Sequence, residues 1–163
     1  MIRFFATAIV VACCVAVALP ATAATHSKYL WATVNICDTD AYPDSIGVRA
    51  SMPGDGTRTR MYMRITPEYY DALRQGWFAA GGSKWMYVGR GVYRWRQGGY
   101  TFAIEPPKGA QESVLRGAVD YKWTKGRRIV RTAHVITKGG HPGTKGADPR
   151  SYSKALCTIS YGS

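Results

Sequence analysis

Between Gly89 and Phe102 the chain reads GRGVYRWRQGGYTF, a stretch in which cationic and aromatic residues interleave. Arginine forks pair bidentately with phosphates and carboxylates, and an exposed aromatic ring stacks on a base or a sugar. Alternation along a strand sends Tyr93 and Trp95 to one face and Arg94 and Arg96 to the other, with Arg90 nearby and a second basic cluster at Arg127, Arg128 and Arg131. These arginines are the candidate anion-binding residues. The same alternation predicts that Tyr93 and Trp95 point into a core while the arginines face water. A solvated strand face over an aromatic core is therefore expected in preference to a dedicated site.

Other residue types that do chemistry lack the company they need. His26, His134 and His141 have no second histidine or cysteine at metal-ligand spacing, so no zinc site is expected. Asp38, Asp40 and Asp44 supply hard oxygens, but the glycine and terminal glutamate of a calcium loop are missing, and a solvated acidic turn is expected. No G-x-S-x-G elbow is present, and Ser83 has no neighbouring base. Glu105 and Glu112 flank a Pro-Pro turn and are the one candidate carboxylate pair for a hydrolase. Glycines 89, 91, 139 and 140 lie between strands rather than before a helix, which does not suit a phosphate-cradling loop. No cofactor, no metal and no catalytic residue are expected.

Charge and cysteine usage constrain the setting. Residues 1–24 run from MIRFF through the uncharged ATAIVVACCVAVAL to Pro20 and the small residues ATAA, the order of a cleavable secretory signal. An apolar core of about fourteen residues is shorter than the roughly twenty a spanning helix needs, and no later stretch comes close. Cleavage after Ala23 or Ala24 is expected; lipid attachment at Cys13 is the less favoured alternative. Residues 25–163 then form one domain with two cysteines, Cys37 and Cys157. In an oxidising compartment these are expected to be bonded, with two separate buried thiols as the alternative. Closing a loop of about 120 residues stabilises a fold by roughly 4–5 kcal/mol on the chain-entropy model. The full chain carries 22 basic and 10 acidic side chains, and only Arg3 leaves with the signal. Such a surface attracts anionic polymers.

The elements that must position these residues are strands. Leu30, Ala32, Val34 and Ile36 form one apolar row, with Trp31 and Cys37 on the other, which predicts a central strand buried on both sides. Ile46 to Met52 and Met61 to Ile65 alternate in turn, the latter with Arg60, Tyr62 and Arg64 on a wet face. One helix is expected over residues 67–75, from Thr66 as cap, Pro67 at the first position, Glu68 at the positive end and Gly76 at the close. Strands resume at 85–88, 92–96 and 100–104. A hairpin joins 114–123 to 129–137 through Lys125-Gly126, a glycine-rich loop covers 138–151, and a last strand spans 154–160.

Eight or nine short strands, one short helix and a bridge between terminal strands predict an all-β, mainly antiparallel sandwich, with a closed β-barrel as runner-up. The layout resembles immunoglobulin-like domains, and Asp148, Tyr152 and Cys157 echo their tyrosine corner, with the tyrosine five residues before the cysteine. The stretches YLWATVNICDT and GADPRSYSKALCTI also resemble small exported actinobacterial proteins of unassigned function, a resemblance that implies export and a disulfide. The expected function is a secreted, non-catalytic binding or structural module of the cell envelope or extracellular space. Binding of a polyanion, nucleic acid or anionic envelope polymer, is the alternative, and a carboxylate-dependent hydrolase is a third.

Overall fold

Period-two alternation dominates the computed structural model, which describes residues 27–105, 109 and 111–161. The expected signal, residues 1–24, lies outside the described residues. Nine strands follow in order: β1 (Trp31–Thr39), β2 (Tyr42–Pro53), β3 (Arg60–Asp71), β4 (Gly76–Ala79), β5 (Met86–Arg90), β6 (Trp95–Ala103), β7 (Glu112–Lys125), β8 (Arg128–Ile136) and β9 (Cys157–Ser160). All strand pairs are antiparallel. One sheet has the order β1-β2-β6. In the other, β3 and β7 lie side by side; β4 and β5 share the far edge of β3, and β8 and β9 share the far edge of β7. The two sheets face each other as an open sandwich, and neither arrangement closes into a barrel.

The inner faces follow from the alternation. Ala32 and Val34 of β1, Ile46, Val48, Ala50 and Met52 of β2, Met61, Met63 and Ile65 of β3, and Leu115, Val119, Tyr121 and Trp123 of β7 form the buried core. Fully burying each of the larger side chains stabilises the fold by about 1.5–3 kcal/mol. The two polar atoms in this core are satisfied: Tyr121 Oη donates to the Trp31 carbonyl at 2.9 Å and Trp123 Nε1 to the Pro53 carbonyl at 3.0 Å. Burial pushes the Tyr121 hydroxyl far above its ordinary range. Cys37 and Cys157 are bonded, joining β1 to β9 with Cα atoms 5.4 Å apart.

Two expectations are corrected here. No helix covers residues 67–75: β3 runs on through Asp71, Asp71 closes a turn by accepting the amides of Leu73 and Arg74, and β4 returns along β3. Pro67 is tolerated inside the strand because its carbonyl accepts Ala80 N–H, so its ring nitrogen faces that same edge and costs β3 no bond to β7. The helix-start signals were outweighed by ten paired positions between β3 and β7. The first strand is not central either: β2 is its one sheet neighbour. Its outer face is buried because the β8–β9 loop lies along it, with Lys154 and Val34 exchanging backbone bonds and Asn35 donating to the Gly146 carbonyl.

Candidate functional site

Register brings three connections to one end of the sandwich. Pro53 pairs with Trp95, Arg60 with both Arg90 and Thr124, and Lys125 with Arg128, so the β2–β3, β5–β6 and β7–β8 connections meet there. The first two are laced together: Gly54 N–H donates to the Arg94 carbonyl, Gly56 N–H to the Gly91 carbonyl, and Gly91 N–H to the Thr59 carbonyl. Gly91 is demanded by this closeness, since a Cβ there would lie 2.2 Å from Asp55 Oδ1. Asp55 itself is occupied: Oδ1 accepts the amide and hydroxyl of Thr57, and Oδ2 accepts the Thr59 hydroxyl at 2.7 Å. Burial raises its carboxyl, but the Thr59 and Thr57 hydroxyls and the Thr57 amide outweigh that and hold it below the ordinary value.

Cations crowd this end. A cleft of about 750 Å³ is lined by Arg58, Arg60, Lys125 and Arg127 together with Asp55, Thr57, Thr59 and Val130. A second, shallower groove of about 450 Å³ is lined by Tyr87, Val88, Gly89, Arg90, Tyr93 and Arg96. Arg60 lines one depression and Arg90 the other, and the two are paired across β3 and β5, so both depressions lie at this end. Asp55 is the one acid lining either. Electrostatically the end is a positive rim with aromatic walls, suited to an extended anion.

The candidate arginines are thus largely brought together, though not as alternation implied. Residues 91–94 are a turn, and β6 begins at Trp95. Tyr93 is 48% exposed and Trp95 42%, so both lie at the surface and the expected burial is wrong. The inward row of β6 is Arg96, Gly98, Tyr100 and Phe102, opposite Met52, Ala50, Val48 and Ile46. At the edge of a sandwich that row opens to water. Arg96 fits there by lying over the Tyr93 ring, 3.5 Å from its centroid, while Arg94 lies over Tyr29. Arg127 lies in the β7–β8 turn and Arg128 opens β8, both exposed as expected. Arg131 stands apart, half-buried on Trp123 with its Nε unpartnered among the described residues.

The sequence reading missed Arg58, Arg60, Lys125 and Tyr87. The signal was available in the connections: DGTRTR, GRGVYR and TKGRR each follow or precede a strand end, and a meander places alternate connections at the same end. The remaining candidates are structural or scattered. Ser83 holds the β3 edge, accepting Ile65 N–H and donating to the Lys84 carbonyl. His134 bonds Asp120, which also holds Arg64 at 2.8 Å. Asp38 accepts the amide of Asp44. A cleft of about 350 Å³ is lined by Glu105, Tyr69 and Ser113, without Glu112. No cluster of potential metal ligands occurs among the described residues, and no helix there is long and apolar enough to cross a membrane. Compared with protein-family models, curated proteins and solved structures, the chain matches none.

Proposed function

We propose that the protein is exported and acts without catalysis as a binding module for an anionic polymer, which it holds at the basic end of the sandwich. The observation that carries this reading is the placing of Arg58, Arg60, Arg90 and Arg127 with exposed Tyr87 and Tyr93 around two depressions at one end of the sandwich. Cations with no ion pair among the described residues gain most from a ligand that brings charge, and Tyr87 and Tyr93, about half exposed, add aromatic surface beside them. The Cys37–Cys157 bridge and the signal-like first 24 residues support a location in an oxidising compartment.

Titration with a single-stranded oligonucleotide and with an anionic envelope polymer, each at about 50 and about 200 mM salt, tests the reading. Affinity should fall steeply as salt rises, because each phosphate neutralised releases a counterion. The triple replacement Arg58→Gln/Arg60→Gln/Arg127→Gln should weaken binding more than tenfold and flatten that slope, while Arg74→Gln/Arg150→Gln at the other end should leave both unchanged. Equal loss from the two sets, or no binding by either polymer, would sink the proposal.

A further inference from the structure

Around the corner from the basic end, a second arrangement lies on the outer face of the β1-β2-β6 sheet. Trp95 and Gln97 are two residues apart on β6 and so share this face, about 7 Å from each other. Trp31, Trp77, Trp85 and Trp123 each stack on a ring or lie beneath a cation; Trp95 does neither among the described residues. Trp95 is 42% exposed. Next along the strip, Arg49 sits directly across from Gly99 and lies flat over it: a Cβ at Gly99 would stand 3.0 Å from Arg49 Cδ. The guanidinium reaches Gln97, donating from Nε to Oε1 at 3.4 Å, which leaves the Gln97 amide nitrogen free to donate outward. Arg49 is only partly exposed and has no carboxylate within ion-pair distance among the described residues. A half-buried cation with no internal counter-charge gains most when an anion arrives from outside.

We infer that Trp95, Gln97 and Arg49 form a subsite for an acidic saccharide residue, a hexuronic acid whose ring lies on the Trp95 indole while its carboxylate meets the Arg49 guanidinium. The apolar C–H face of a pyranose suits an indole, the Gln97 amide reaches a ring hydroxyl, and Gly99 keeps the strip flat beside them. Planar pairing of carboxylate with guanidinium fixes the ring's direction along β6. A nucleic acid fits this face less well. Binding of successive bases uses several open rings, and Trp31, the other tryptophan on this face, is already stacked on His141 at 4.2 Å. The inference rests on the reading that the ligand is an anionic polymer, and adds that the polymer's units are acidic sugars.

The experiment compares a galacturonic acid tetramer with its methyl ester, which keeps the rings and removes the charge, in calorimetric titrations of the exported protein. The acid form should bind at least tenfold more tightly than the ester. Trp95→Ala should weaken both ligands about tenfold or more. Arg49→Gln should weaken the acid alone, bringing it to the level of the ester, and Arg49→Lys should restore only part of the difference. Unchanged melting temperatures would show that the variants fold. Tetramer binding that survives Trp95→Ala and Arg49→Gln overturns the inference. So does a short oligonucleotide that loses affinity in Trp95→Ala while the tetramer does not bind. If only the Arg58/Arg60/Arg127 triple variant weakens the tetramer, the polymer-binding reading stands and the saccharide subsite falls. Loss confined to the Trp95 and Arg49 variants, with long polymers indifferent to the triple variant, gives the reverse.

Discussion

The two ends of the sandwich are built from the same kinds of turns and use charge in opposite ways. At the end where β1 turns into β2 and β3 into β4, four acids have partners: Glu68 holds Arg116 at 2.7 Å, Asp71 holds two amides and faces Arg74, Asp148 accepts the Thr39 hydroxyl, and Asp38 accepts an amide, while Asp40, Asp44, Glu105 and Glu112 show no partner among the described residues. The disulfide ties β1 to β9 towards that end. At the basic end Arg58, Arg60, Arg90, Arg127 and Arg128 have no ion pair among the described residues, and Asp55 is taken up by threonines. Paired charge closes a structure, whereas unpaired like charge repels itself and costs stability until something neutralises it. The contrast supports the proposal that one end holds the fold together and the other binds a ligand.

Removing the bridge should have the largest effect. Cys37→Ala/Cys157→Ala is expected to lower stability by about 4 kcal/mol, within the usual range for a native disulfide, as read from chemical denaturation. Below the lowered melting point, polymer affinity should stay within twofold of the parent, because the bridge lies at the other end. If affinity collapsed while the variant was still folded, the division between ends would be wrong.

Two tryptophans extend the comparison. Trp123 is 0% exposed and hydrogen-bonded, so Trp123→Ala should cost about 3–5 kcal/mol. Trp95→Ala should change stability by about 0.5 kcal/mol or less, the usual range for a surface position. Denaturant midpoints of the two variants decide it. A Trp95 variant as damaged as the Trp123 variant would return that ring to a structural role.

That second pair also shows how much was legible. Alternation in β2, β3 and β7 was clear because both neighbours of each strand are present and one face is dry, so Met61, Met63 and Ile65 announced the core. The cysteine pairing followed from there being two in the expected mature chain. In β6 neither row is wholly apolar: Arg96, Gly98 and Tyr100 point inward at an open edge while Trp95 points out, so a rule that assigns the aromatic row to the core inverts the strand. Residues 66–76 carried real helix-start signals, but β3 gains more from pairing with β7 than a nine-residue helix gains alone. The basic end was the least legible feature. Its arginines lie on three separate connections, and only the register of strands far apart in sequence brings them together.

The smallest effect concerns the two acids that lie away from the paired end. Burial raises the Asp120 carboxyl, but hydrogen bonds from Arg64 and His134 and the charges of both more than offset it, and Asp55 is lowered by its threonines. A carboxyl whose folded value lies below its unfolded value of about 3.9 contributes stability above that pH and loses it as the pH falls through the folded value. Both groups are partly exposed, so the contribution of Asp120 is expected to be under about 1 kcal/mol. Melting curves of Asp120→Asn and the parent should therefore differ slightly at neutral pH and converge as the pH falls through the lowered folded value. At the basic end the consequence is sharper in kind. Protonating Asp55 removes its negative charge from among the arginines and loosens the Thr57–Thr59 knot that fixes Arg58, so repulsion rises as the loop relaxes. The amide of Thr57, which donates to Asp55, should report this as an NMR titration with a midpoint below about 3.9. A midpoint at or above that value would mean that the knot does not hold the loop, and that the basic end lacks the fixed frame its proposed binding role requires.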